Sequence, residues 1–255
     1  MPLSKNKIKE IRRLEQKKFR HTDRLFIAEG PKTIGELLAV SPPKTIIATS
    51  QWLCENSVPG STEVIEVGQE ELQKVSLQKM PQQVLGIFPF FTEKTAEEIC
   101  QLAEKELCLV LDGIQDPGNL GTIIRIADWF GIRHIICSCD SVDVYNPKTI
   151  QATMGSLARV NLTYTDLATI IGSLPRHIPV YGTVLDGDNM YEIPLSKQGL
   201  IVMGNEGNGI SKEIQTQLTH RILIPNYPSQ SETAESLNVA IATAIVCAEF
   251  RRPTC

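Results

Sequence analysis

This sequence predicts an α/β fold, a small α/β unit followed by a mostly parallel sheet dressed with helices. Three observations carry it. Short runs of branched apolar residues recur along the chain, at Phe26-Ile27-Ala28, Thr45-Ile46-Ile47-Ala48, Val84 to Phe88, Cys108 to Leu111, His134 to Cys137, Pro179 to Thr183 and Leu200 to Met203. Segments with helically spaced apolar residues lie between many of these runs, the alternation that builds βαβ units. The composition, 42% hydrophobic and 21% charged over 255 residues, is that of a globular chain with one or two cores.

Ser4 to Arg20 reads as a basic helix with a loose apolar arc of Ile8, Ile11, Leu14 and Phe19. Phe26 to Gly30 reads as strand and turn, and the following helix, through Ile34, Leu37 and Leu38, stops at Pro42-Pro43. Thr45 to Ala48 then gives a strand, Glu70 to Val75 a short helix, and Val84 to Phe88 a strand that Pro89 ends. The charged stretch Thr92 to Glu106 is expected to be helical and to hold the junction between two domains, residues 1–98 and 99–255. Beyond it come a strand at Cys108 to Leu111, a helix that ends at Phe130-Gly131, and a strand at His134 to Cys137. Asn146-Pro147 opens a helix reaching to about Leu157, and Pro179 to Thr183 forms the next strand.

The closing region is the most informative. Leu200 to Met203 reads as a buried strand that breaks at Gly204-Asn205-Glu206-Gly207-Asn208-Gly209. A second run, Ile222 to Pro225, leads through a polar loop to Ser236-Leu237-Asn238. Ser236 is the expected N-cap of a helix whose Leu237, Ile241, Ala244, Ile245 and Ala248 share one face. Two strand ends, a glycine loop and a helix start can frame one polar pocket at strand C-termini.

Charge is unevenly spread. Residues 1–24 hold nine Lys/Arg against three acids in a chain whose formal charge is −4, which suits a basic segment meeting an anionic partner such as nucleic acid, or else a solvated helix face. The seven cysteines form no C-x-x-C pair, so neither a zinc site nor a disulfide framework is expected. The longest small-apolar run, Ala240 to Phe250, is too short to span a bilayer, and a cytoplasmic protein with reduced thiols is expected.

The loop Asp112 to Gly121 contains Pro117-Gly118-Asn119-x-Gly121 and feeds a helix with Ile123, Ile124, Ala127 and Phe130 on its apolar face. Arg125 falls on the polar flank, where its planar fork suits a phosphate or a hydroxyl, or a structural pair with Asp128. Neither glycine loop has the G-x-G-x-x-G spacing or the Gly-Lys-Ser/Thr ending, which argues against nicotinamide and nucleoside-triphosphate sites.

Three separated segments together resemble the motifs of the SpoU (TrmH-like) ribose methyltransferases of the trefoil-knot, or SPOUT, superfamily. They are Asp112-x-x-x-Asp116-Pro117-x-Asn119-x-Gly121-x-x-x-Arg125, Met203-Gly204-Asn205-Glu206-Gly207-x-Gly209-Ile210, and Ile224-Pro225 followed by Ser236-Leu237-Asn238-Val239-Ala240. The first domain is similar to the family's ribosomal-protein-like RNA-binding domain. The resemblance implies a deep trefoil knot in the C-terminal sheet, bound S-adenosyl-L-methionine and a homodimer. It also implies methylation of a ribose 2′-hydroxyl in tRNA or rRNA, with no metal and no membrane. The alternative it leaves is an RNA-binding assembly factor that keeps the fold without catalysis. By the same analogy Asn119, Arg125, Glu206, Ser236 and Asn238 line the reactive side. Thr183, Met203, Gly204, Asn205, Gly207, Ile224, Pro225 and Leu237 hold the cofactor. One departure stands out: the stretch Asn226 to Glu235 makes the third motif longer than the family's usual pattern, and it has no glycine.

Overall fold

The computed structural model describes residues 3–228 and 234–253, and its chain divides into two compact units, residues 1–92 with 143–158, and 93–142 with 159–255. In the first unit the basic segment is two helices rather than one. These are α1 (Lys5–Arg12) and α2 (Lys17–Asp23), parted by a 3-10 turn and an extended Gln16. The break has a physical reason. It lets Arg20 turn inward, where Nη1 donates to the carbonyls of Leu14 (3.0 Å) and Glu15 (2.6 Å) and Nη2 donates to Asp143 Oδ2 (2.6 Å).

There follow β1 (Leu25–Glu29), α3 (Pro31–Leu38), β2 (Thr45–Ala48), α4 (Ser50–Glu55), β3 (Glu63–Glu66), α5 (Gln69–Val75) and β4 (Val84–Pro89). The strands form one sheet in the order β1-β4-β2-β3, antiparallel except for the β2–β3 pair. Gly30, at φ 93°, turns the chain from β1 into α3, which starts on Pro31. One face of this sheet buries Ile27, Ile47, Leu85 and Ile87 with Ile11 and Leu14 of the N-terminal segment and Leu72 and Val75 of α5.

The second unit begins with α6 (Ala96–Ala103), shorter than the helix expected from Thr92. A capping box sets its start, Thr95 Oγ1 accepting from Glu98 N and Glu98 accepting from Thr95 N. The chain continues through β5 (Leu107–Leu111), α7 (Pro117–Trp129) and β6 (His134–Ser138). It then contributes α8 (Pro147–Thr153) to the first unit and returns in β7 (Asn161–Thr165), α9 (Leu167–Ser173) and β8 (Val180–Asn189). The last elements are β9 (Gly199–Met203), α10 (Lys212–Gln215), β10 (His220–Leu223) and α11 (Val239–Phe250). All six strands are parallel, in the order β10-β8-β9-β5-β6-β7. Being covered on both faces, β5 and β9 are buried throughout. Their core includes Val110, Ile136, Val180 and Val202 with Ile170 and Ile171 of α9.

Between Gly182 and Asp188, β8 leaves its ladder with β10 and then resumes it. Gly187 lies against the β10 main chain, since a Cβ there would stand 2.7 Å from the Ile222 carbonyl carbon.

Two expectations for α11 are corrected. Its N-cap is Asn238, whose Oδ1 accepts from Ala240 N (2.9 Å) and Ile241 N (3.3 Å), and Ser236 lies two residues before that cap. Its buried side is Val239, Ala240, Thr243, Val246, Cys247 and Phe250, while Leu237 and Ile241 are 51% and 54% exposed. The helix is apolar nearly all round, so spacing alone does not say which face meets the core.

Among the described cysteines Cys54 and Cys139 are exposed and Cys108, Cys137 and Cys247 are buried. Burial pushes the Cys108 and Cys247 thiols up to about 12, and that of Cys137 up as well. Iodoacetamide at mild alkaline pH is therefore expected to label Cys54 and Cys139 of the native protein first, as peptide mass spectrometry would show. Early labelling of Cys137 would contradict its burial. No helix among the described residues is long and apolar enough to cross a membrane.

Candidate active site

The site is built where three chain breaks meet. The first is the start of α7. Asp116 caps it, Oδ1 accepting from Asn119 N (2.8 Å), and Pro117 occupies the first helical turn, where a missing N–H costs nothing. Asn119 is thereby held in the first turn of α7.

The second is the loop after β9. Gly204 admits no side chain, since a Cβ would lie 2.2 Å from the Gly209 carbonyl carbon. The loop doubles back through paired Asn205–Gly209 backbone bonds of 2.9 Å each. Both ends of the Asn205 amide are used: Nδ2 donates to Gly113 O (2.6 Å), and Oδ1 accepts from Gly207 N (2.9 Å) and Asn208 N (3.0 Å). Asp112 ties the far side of the loop, accepting from Ser211 N at 2.7 Å. This brings Glu206 to the start of α7. Its Oε1 accepts from Asn119 Nδ2 (3.0 Å) and Asp116 N (3.4 Å), and its Oε2 from Gln115 N (3.4 Å), a favourable place for a carboxylate.

The third is the start of α11, where Asn238 Nδ2 donates to Asn119 Oδ1 at 3.0 Å. The resulting series has one consistent set of amide orientations. Asn238 Oδ1 is held by two backbone donors, so its nitrogen must face Asn119. Asn119 accepts there, and its own nitrogen is left for the carboxylate, which can only accept.

The structure thus joins Asn119, Glu206 and Asn238 directly, and leaves Arg125 and Ser236 outside that series. Arg125 is exposed on α7, and the partner expected of a structural arginine, Asp128, is engaged by Arg159 (Nη2–Oδ2 2.8 Å). Ser236 is exposed. Thr183 Oγ1 donates to Val202 O (3.1 Å), next to the buried Met203. Ile224 and Pro225 are half-buried just after β10, Leu237 is exposed, and Ser229 to Thr233 of the long loop lie outside the described residues. Sequence reasoning did not single out Asp112 or Asp116 as anchors. Their signal was present, an acid at a strand end and an acid before Pro at a helix start.

Residues 106–248 match the model of the SpoU rRNA Methylase family. The chain belongs to the SpoU family. Residues 5–86 match a second model, that of the MRM3-like substrate binding domain. Among SpoU relatives, the 23S rRNA (guanosine(2553)-2′-O)-methyltransferase RlmP of Bacillus subtilis is 30% identical over 249 residues, 96% of each chain. A structure from Porphyromonas gingivalis, placed in the TrmH family, superposes with a TM-score of 0.90 at 41% identity, covering 99% of each chain. The AdoMet-bound rRNA methyltransferase of Sinorhizobium meliloti superposes with a TM-score of 0.85 at 33% identity, covering 98% of this chain and 95% of that one.

Proposed function

We propose that this protein transfers a methyl group from S-adenosyl-L-methionine to a ribose 2′-hydroxyl of RNA, and the names of its relatives favour ribosomal RNA over tRNA. The observation that carries the reading is the Glu206–Asn119–Asn238 series, which unites the three motif segments at one place. The residues present fit the cofactor. Ile224, Pro225 and Leu237 keep apolar surface outside the core at strand and helix ends, and the Gly204, Gly207 and Gly209 backbone carries no side chain to cover it. Thr183, Met203, Gly204, Asn205, Gly207, Ile224, Pro225 and Leu237 would hold it, Asn205 by fixing the loop.

When bound, S-adenosyl-L-methionine supplies an electrophilic methyl on a sulfonium. The chain's own part is alignment, which alone can contribute about 7 to 11 kcal/mol to a barrier. In this reading Asn119 and Asn238, oriented by Glu206 and the α11 N-terminus, line the ribose, Ser236 lies beside them, and Arg125 positions the 2′-hydroxyl and a neighbouring phosphate. A planar guanidinium fork suits that positioning role, since it can hold two oxygens side by side.

The first unit, under the same reading, binds the RNA substrate. The protein acts as a homodimer with a trefoil knot in its second unit. The outward apolar face of α11 and Trp129, 85% exposed at the end of α7, support a second copy as its cover. Main-chain crowding at Gly187 and Gly204 suits a chain threaded close past itself.

Incubation with S-adenosyl-[methyl-³H]methionine and 23S rRNA is expected to give a labelled dinucleotide resistant to alkali, the mark of a 2′-O-methyl group. Label on a base instead would overturn the reading. Gly204→Ala should weaken S-adenosyl-L-methionine binding by about tenfold or more, because its Cβ strikes backbone that cannot yield cheaply. Calorimetry showing unchanged affinity would mean the cofactor is held elsewhere.

A further inference from the structure

The basic residues of the first 24 do not act as one arm. Within the first unit Arg20 is buried on Asp143, Lys7 reaches Glu63 (Nζ–Oε2 2.8 Å) and Arg13 reaches Asp23 (2.5 Å). What α2 leaves exposed is Lys17, Lys18 and, at its end, Arg24, together with His21, whose Nε2 stands 3.6 Å from Asp143 Oδ2. At about 100° per residue Lys17, Lys18 and His21 share one side of the helix.

Arg24 closes α2 with φ 56°, a left-handed conformation that a residue with a side chain adopts only at a cost. In that conformation its guanidinium carbon stands 4.9 Å from the centroid of the Phe90 ring. Phe90 is half-buried and stacks on Tyr145 (3.8 Å between centroids, 16° between planes), and His21 meets it edge-on at 5.5 Å. The platform is locked from behind: Phe90 N donates to Arg24 O (3.0 Å) and Phe91 N to Tyr145 Oη (2.8 Å).

We propose that Arg24, seated on Phe90 and flanked by Lys17, Lys18 and His21, is a stacking site for an unpaired nucleotide in a single-stranded RNA segment, with the lysines holding the adjacent phosphates. The inference rests on the reading that the substrate is RNA. Unstacked bases bind on guanidinium planes and aromatic rings, whereas a duplex hides its base faces. The left-handed turn at Arg24 ends α2, its N–H donating to the Arg20 carbonyl, and its guanidinium lies over the Phe90 ring.

The test uses the full chain, a single-stranded RNA dodecamer with one 2-aminopurine, and the same strand annealed to its complement. Wild type should quench the single strand and leave the duplex unquenched. Arg24→Lys keeps the charge and loses the plane, so it should bind about fivefold or more weakly, without quenching, at an unchanged salt slope. Lys18→Ala should keep the quenching and lower the slope of log affinity against log salt by about 0.7. Arg24→Lys that binds and quenches like wild type, or equal quenching of the duplex, would overturn the stacking site; methyl transfer by the same preparation would leave the enzymatic reading standing. A wild type that neither binds RNA nor transfers methyl groups would overturn both.

Discussion

Asp143→Ala is expected to lower the stability of the first unit by about 3 to 5 kcal/mol, the usual consequence of leaving a buried charge without its partner. Arg20 and Asp143 are 2% and 5% exposed, so solvent cannot replace the lost carboxylate. Oδ2 takes both Nε (3.1 Å) and Nη2 (2.6 Å) of Arg20, and Oδ1 accepts from Tyr145 N (2.9 Å), so the same substitution loosens the turn that begins the 143–158 segment. The double change Arg20→Met with Asp143→Leu should recover much of the loss, since a buried pair is costly mainly when broken. Urea unfolding followed by Trp52, which is buried in this unit, reads the effect. A single-variant loss below about 1 kcal/mol would mean the pair behaves like a surface salt bridge.

Changing Arg125 to Ala should lower methyl transfer by about 100-fold or more at saturating RNA, on the usual scale for a group that positions a proton transfer. Affinity for S-adenosyl-L-methionine should stay nearly intact, because Arg125 projects from α7, whereas the proposed cofactor contacts come from β8, the end of β9 and the segments after β9 and β10. Its exposure, and the engagement of Asp128 by Arg159, leave the guanidinium available to substrate. Arg125→Lys should rescue poorly, since a point charge cannot hold hydroxyl and phosphate together as a planar fork does. Recovery of the wild-type rate at high RNA would reduce Arg125 to an RNA anchor. Loss of cofactor binding would show that the pocket lies against α7 instead.

The amino-acid sequence by itself determined the alternation of strands and helices, the mostly parallel second sheet and the three motif segments at strand-to-helix junctions. Those signals are local: apolar runs, glycine where backbone crowds backbone, Pro and Asp at helix starts. Strands such as β3 and β7 were not legible, being short edge strands whose residues are part-polar. Only the tertiary structure decided which face of α11 is buried, because a helix apolar on every side carries no periodic signal. It also decided that Asn238 caps that helix and reaches Asn119, a contact 119 residues apart in sequence. Likewise Arg20 reads as one more cation in a basic run until Asp143, 123 residues away, is folded against it. For Asn238 with Asn119 and for Arg20 with Asp143 the deciding partner is distant in sequence, and a side chain's role depends on what the fold brings within hydrogen-bonding reach.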